Sequence, residues 1–340
     1  MTAAVRTRRR IASRRDLWRW ARVVVPVATL AFLVWRLGTG PFVAGVRTVD
    51  GQALAAAAGI AVLTTVCCAW RWKIVARGLG IDLPLPAAVA AYYRSQFLNV
   101  TLPGGVVGDV HRGYSHGRDV SDVGRGLRAV AWERTAGQVV QAVLLVVVLI
   151  VLPSPVRPWM PLVGIVLGVI VLGLVLLARV RPAAGGSRWA RVRNTAAADI
   201  RDGLLARRAW LGITLASAVF VGGQAVTFMI AARTAGAEAS VSRLLPLALL
   251  AMLAMVLPSL AGWGPREGLT AWAFAAAGLG ADRGVATAVV YGIMVFVASL
   301  PGAAFLVLGW RRRTRLERRP EPSLPPRVKV AVRPDGAPHA

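Results

Sequence analysis

The sequence predicts an all-α integral membrane protein of about six full transmembrane helices plus two re-entrant or broken helical segments, in an order that suggests an inverted repeat. Four observations predict it. Several apolar runs reach the roughly 20 residues that a helix needs to cross a hydrocarbon core. Of the 340 residues, 56% are hydrophobic and only 16% charged, less charge than a soluble domain carries. Arginine gathers beside the ends of the apolar runs, which is the positive-inside pattern. Two further apolar stretches are interrupted by Pro and Gly, at corresponding places in the two halves of the chain.

Residues 1–20 read as a basic cytoplasmic tail and 21–312 as the membrane domain. Span one, about 21–38, follows the tail without a small-residue cleavage site and reads as a retained span. The weakly charged loop 39–51 lies outside. Span two, about 52–70, returns and places Arg71, Lys73 and Arg77 inside. Cys67 and Cys68 are chain neighbours, awkward for a structural disulfide, and read as small packing residues. Segment 84–103 starts and ends at Pro and contains Arg94, Gln96 and Asn99. The Gly-rich, basic stretch 104–128 also reads as cytoplasmic, so 84–103 has both ends on one side and is a re-entrant hairpin or an interfacial helix. Spans three to five cover about 129–152, 159–178 and 209–232, with the Arg-rich segment 179–208 inside. Residues 243–258 stop at Pro258, and a second short apolar piece covers 269–278. The last span, 284–310, ends inside because Arg311, Arg312 and Arg313 follow. Parity then requires 243–278 to enter and leave on the outside.

Each half, about 21–152 and 159–310 joined through the outside loop 153–158, reads span, span, broken segment, span. Three spans per half reverse the orientation. Such a pair of interrupted segments marks a transporter binding site near the bilayer midplane; the alternative is two ordinary kinked helices without a repeat. Residues 313–340 are basic, Pro-rich and aperiodic, and are expected to be disordered.

Segments 1–22, 179–208 and 311–340 carry net charges of +7, +6 and +6, most of the overall +26. Each flanks an apolar span. This charge therefore sets topology and meets anionic headgroups at the cytoplasmic face rather than nucleic acid. His111, His116 and His339 show no zinc-ligand spacing with the cysteines. No metal and no cofactor is expected.

Three groups of residues carry the chemistry. The first runs from Arg94 through Asn99, Pro103, Gly104, Gly105, Val107, Gly108 and Asp109 to Arg112. Its glycines allow close backbone approach, and exposed N–H groups at a helix start beside Arg94 and Arg112 suit a phosphate. The same residues also read as a Gly-rich turn with Asp109 as a helix N-cap and Arg112 facing lipid. The second group contains Pro258, Gly262, Trp263, Gly264, Pro265, Arg266, Glu267 and Gly268. Pro265 suits the first turn of a new helix. An Arg–Glu pair between apolar half-helices faces a cavity if it lies in the membrane; otherwise it lies at the water surface. The third is Trp132, Glu133 and Arg134, where Glu133 and Arg134 pair with each other, pair with the hairpin, or anchor the interface. Gln138 and Gln141 follow on the same span and form a polar stripe if Gln138 shares the face of Arg134.

The run Asn99-Val-Thr-Leu-Pro103-Gly104-Gly105 through Gly108-Asp109-Val-His-Arg112, followed by Glu133-Arg134, resembles the lysylphosphatidylglycerol synthase transmembrane-region family, which includes the flippase part of the multiple peptide resistance factor. The block Pro258 to Gly268 resembles the family's second block. The similarity covers about 20–312. It implies a domain that moves or presents an anionic, aminoacylated or polyprenyl-linked lipid between leaflets of the cell membrane. Arg94, Asn99, Asp109, Arg112, Glu133, Arg134, Arg266 and Glu267 stand at the matching polar positions. Val107 departs from a commonly found Gly. No soluble aminoacyl-transferase domain follows residue 312, so lysyl transfer is not expected from this chain.

The leading expectation is a flippase-like lipid transporter. In it, Arg94, Arg112 and Arg266 engage a headgroup phosphate, while Asp109, Glu133 and Glu267 pair with them or bind a cationic moiety. The alternatives are a membrane-embedded enzyme or subunit, with Asp109 and Glu267 as acid–base groups, and a scaffold for a separately encoded transferase. Neither a metal motif nor a nucleophile motif favours catalysis.

Overall fold

The computed structural model describes residue 28 and residues 31–102, 105–179, 187–255 and 263–317, with side chains to 309. The tail 1–20, most of span one, Pro103, Gly104, Pro258, Gly262 and the tail beyond 317 lie outside the described residues. Among the described residues every regular element is a helix.

In chain order these are α1 (31–37), α2 (Gly40–Arg47), α3 (Gly51–Gly78), α4 (Leu85–Thr101), α5 (Val107–Asp119), α6 (Val123–Val151), α7 (Met160–Arg179), α8 (Arg188–Ala198), α9 (Arg207–Thr234), α10 (Val241–Ala254), α11 (Pro265–Ala276), α12 (Ala281–Ser299) and α13 (Pro301–Glu317). Local chemistry sets several starts. The carboxylates of Asp50 and Asp122 accept from the amides of Ala53 (2.6 Å) and Arg125 (2.8 Å), capping α3 and α6. A side-chain acceptor there satisfies amides that the first turn leaves without a helical partner. Five stretches are long and apolar enough to cross a membrane: Gly51–Gly78, Val123–Val151, Arg157–Arg179, Arg207–Thr234 and Ala281–Gly309. The chain is a multi-pass α-helical membrane protein.

Helices α3 and α9 form the centre and run antiparallel. Gly223 of α9 abuts Thr64 and Ile60, Gly212 meets Ile74 and Trp70, and Gly203 just before α9 meets Gly78 and Leu79. Small residues fill this packing, including Ala57, Ala69, Ala76, Ala225, Ala231 and Ala232, all buried. Lipid tails are as apolar as leucine, so helix association in a membrane rests on such close backbone approach rather than on hydrophobic transfer.

Two helix–break–helix units pack beside this pair. In the first, α4 and α5 have 17 and 13 residues; in the second, α10 and α11 have 14 and 12. Each helix falls short of the roughly 20 residues needed for a crossing. Helix α4 packs on α3, α5 and α13, and α10 on α9, α11 and α6. The short helices on either side of each break therefore pack against other helices of the bundle.

The structure departs from the sequence reading in four places. Span two continues to Gly78 rather than ending near 70, and this buries Arg71 inside the bundle instead of leaving it in water. The last span is divided at Leu300 and Pro301, where proline has no N–H to donate to the preceding turn. Segment 179–208 contains α8 and a π-helical turn, Asp199–Leu204. Asp199 ties that turn to α6 by accepting from Arg128 Nε (2.9 Å) and Trp132 Nε1 (3.0 Å). Finally, Asp109 is no N-cap: α5 starts at Val107, and Asn99 Oδ1 accepts from the Gly108 amide (2.8 Å) from across the break.

Candidate functional site

Glu133 of α6 is the hub of the first charged network and is wholly buried. Its Oε1 accepts from Arg71 Nε (2.8 Å), Arg71 Nη2 (2.5 Å) and the Tyr92 hydroxyl (3.3 Å). Its Oε2 accepts from Arg112 Nη2 (3.0 Å). The Arg112 guanidinium lies between the rings of Trp72 and Tyr92, 4.5 and 4.2 Å from their centroids. Its charge is thus held by two carboxylates and two ring faces, because Arg112 Nη2 also donates to Asp109 Oδ1 (2.9 Å).

Asp109 is the second hub. Ser95 Oγ donates to it at 3.0 Å and Asn99 Nδ2 at 2.9 Å. Arg134 Nη2 completes the set. Gly108 makes this possible: a side chain there would collide with the Ser95 carbonyl, so only glycine lets α5 approach α4 this closely. Val107, the departure from the family pattern, points outward and is exposed.

The second network lies on α11. Gly264 takes φ +109° at the helix start, a conformation that favours glycine. Glu267 Oε2 accepts from its amide (2.6 Å), while Oε1 accepts from Arg266 Nε (3.0 Å) and Nη2 (2.5 Å). Arg266 and Glu267 are both buried. The Arg266 guanidinium lies 5.5 Å from the ring centroids of both Trp263 and Tyr291.

Both networks open onto one cavity of about 220 Å³. Arg71 and Arg134 reach it from α3 and α6, and Arg266 from α11. Thr64, Thr65, Gln96, Asn99, Gln138, Gln141, Gln224 and Thr227 give it a polar lining, and Phe220, Met252, Met255 and Met294 an apolar one. Gly105, with φ +66°, also borders it. The first network holds three guanidiniums against two carboxylates and so carries one excess positive charge. The most accessible cation is Arg134, whose side chain is 40% exposed. Burying such charges is costly unless they are paired, which the two acidic hubs achieve.

Of the residues singled out from sequence, Gln96, Asn99, Gly105, Arg134, Gln138, Gln141 and Arg266 border the cavity. Gly108, Asp109, Arg112, Glu133, Gly264 and Glu267 stand behind it and hold the arginines. Glu133 and Arg134 do not pair with each other but with separate partners. Arg94 does not border the cavity; it lies beside Gly309 of α13. Arg71, Trp72, Tyr92, Gln224 and Tyr291 are site residues that sequence reasoning missed. So are Gly137 and Gly292, which abut the guanidiniums of Arg71 and Arg266.

This is a multi-pass helical membrane protein in which two helix–break–helix units share a cavity lined by carboxylate-paired arginines. Residues 19–302 match the family model described as the lysylphosphatidylglycerol synthase TM region, and the chain belongs to that family. No curated protein matches the chain.

Proposed function

We propose that the chain is a lipid carrier of the cell membrane that moves a phosphate-bearing lipid, phospholipid or polyprenyl-linked, between leaflets, with both termini in the cytoplasm. The observation that carries this reading is the single cavity into which Arg71, Arg134 and Arg266 all reach. An excess guanidinium inside the protein, away from bulk water, attracts an anion more strongly than one at an exposed surface. The mixed lining suits a headgroup entering from an apolar phase. The cavity lies below the roughly 300–1,000 Å³ of pockets that enclose drug-sized ligands, so it takes the headgroup and leaves the acyl chains in the bilayer.

In this reading the halves form an inverted repeat. Helices α3, α4, α5 and α6 correspond to α9, α10, α11 and α12, and the broken units are re-entrant from opposite sides. The antiparallel run of α3 against α9 supports the inversion. Rocking of one half against the other would expose the arginines alternately to each leaflet, the usual behaviour of such repeats.

The test is lipid movement in proteoliposomes, followed by loss of leaflet-protected fluorescent lipid. Arg134→Gln removes the exposed charge while Asp109 keeps Arg112, Ser95 and Asn99. It should slow anionic lipid movement about tenfold or more, the worth of a charged hydrogen bond. Movement no faster than in protein-free vesicles, or a well-folded Arg134→Gln protein at the wild-type rate, counts against the proposal.

A further inference from the structure

Resting on that reading, we infer that the lipid is anionic with an uncharged, hydroxyl-rich headgroup such as glycerol, inositol or a sugar on its phosphate, and not an aminoacylated headgroup. Among the described residues, no carboxylate lines the cavity. Asp109, Glu133 and Glu267 stand behind it with both oxygens of each occupied by donors of the protein. The undescribed residues 103–104 and 256–262, which adjoin the cavity helices, contain no acidic residue either. An ammonium entering here would meet three arginines and, among the described lining residues, no carboxylate, and like charges repel.

Neutral hydrogen-bonding capacity, in contrast, is left over. Gln138 and Gln141 of α6 and Gln224 of α9 face the cavity and make no hydrogen bond among the described residues. Gln141 is only 8% exposed. With the rest of the side chain packed away, its amide meets the cavity with its donors and acceptors unpaired by the described residues, and a ligand there can supply them. Each primary amide carries two donors and two acceptor sites, and each hydroxyl both gives and accepts. Polyol hydroxyls satisfy such amides from both sides, whereas an ammonium can only donate. Arg134, with its Nε also unpartnered, is placed to take the phosphate.

The test places the purified full chain in phosphatidylcholine nanodiscs and measures retained lipid by native mass spectrometry. The probes are phosphatidylglycerol, phosphatidylinositol, phosphatidic acid and lysyl-phosphatidylglycerol. The two polyol lipids should be retained about tenfold more tightly than phosphatidic acid, which has the phosphate but no polyol. Lysyl-phosphatidylglycerol should do no better than the bulk lipid. Gln141→Leu should bring the polyol lipids down to the level of phosphatidic acid and leave phosphatidic acid unchanged. Gln224→Met, on a different helix, gives the same readout should Gln141→Leu not fold. Lysyl-phosphatidylglycerol retained as well as phosphatidylglycerol, or a polyol preference that survives both substitutions, overturns the headgroup assignment and leaves the carrier standing. No retention of any anionic probe above the bulk lipid overturns both.

Discussion

Glu133 shows how single residues set the site. One carboxylate holds two guanidiniums and a phenol, and all four side chains are buried. Replacing it by glutamine keeps the shape and removes the charge, so Arg71 loses its paired carboxylate and Arg112 keeps Asp109. Breaking a buried pair from one side costs about 3–5 kcal/mol. Glu133→Gln should therefore lower the thermal unfolding midpoint in detergent sharply. Arg201→Ala, at the exposed pair with Asp202, should leave it unchanged; equal midpoints for the two would remove the hub from the account. The sequence made half of this network legible. Arg266 beside Glu267, and Glu133 beside Arg134, are visible because adjacent charges inside apolar runs demand an explanation. Arg71 was hidden because it stands at the end of an apolar run, where the positive-inside pattern assigns arginines to water. Tyr92 and Gln224 left no local signal, since a lone polar residue on an apolar helix shows its role only when a distant helix packs against it.

Among the elements, two of the buried arginines, Arg71 and Arg266, are seated in the same way. A Cβ on Gly137 of α6 would sit 2.7 Å from Arg71 Nη1, and one on Gly292 of α12 would sit 2.5 Å from Arg266 Nη2. An arginine tip elsewhere could swing aside, but here Glu133 and Glu267 hold both ends in place, so the added methyl must break the pair or shift a helix. Such overpacking costs typically about 1–3 kcal/mol. Gly168 of α7 has nothing within 4 Å, and alanine there gains helix propensity worth up to about 1 kcal/mol. Gly137→Ala and Gly292→Ala should lower both the melting midpoint and lipid movement, while Gly168→Ala should match or exceed wild type. Equal behaviour of all three would show that the cradles do not matter. These positions were not legible as site residues, because glycine in an apolar helix is common and only the partner helix shows what it accommodates. The long helices themselves were legible from apolar run length, apart from their ends: α3 runs on past 70 because its continuation carries apolar and aromatic residues that pack against α4.

For the whole molecule the open question is direction. Helix α3 runs antiparallel to α9, and each is followed in the same order by a short helix, a break, a second short helix and a long helix. If the two quartets are inverted copies, the entry and exit of the first broken unit lie on one face of the membrane and those of the second on the other. The ends of the units supply the probes: Asp82 and Ser121 flank the first, Ser242 and Asp282 the second, and all four are exposed. In a background with Cys67 and Cys68 changed to alanine, each is replaced singly by cysteine and treated in intact cells with a thiol reagent that does not cross the membrane. Ser242→Cys and Asp282→Cys should label from outside, whereas Asp82→Cys and Ser121→Cys should label only after permeabilisation. The pairing within each unit and the opposition between units are separate results. If the two ends of one unit label from different faces, that unit crosses the membrane and is not re-entrant. If both units label from the same face, the repeat is not inverted, and alternate exposure of the shared cavity by rocking of one half against the other loses its structural basis.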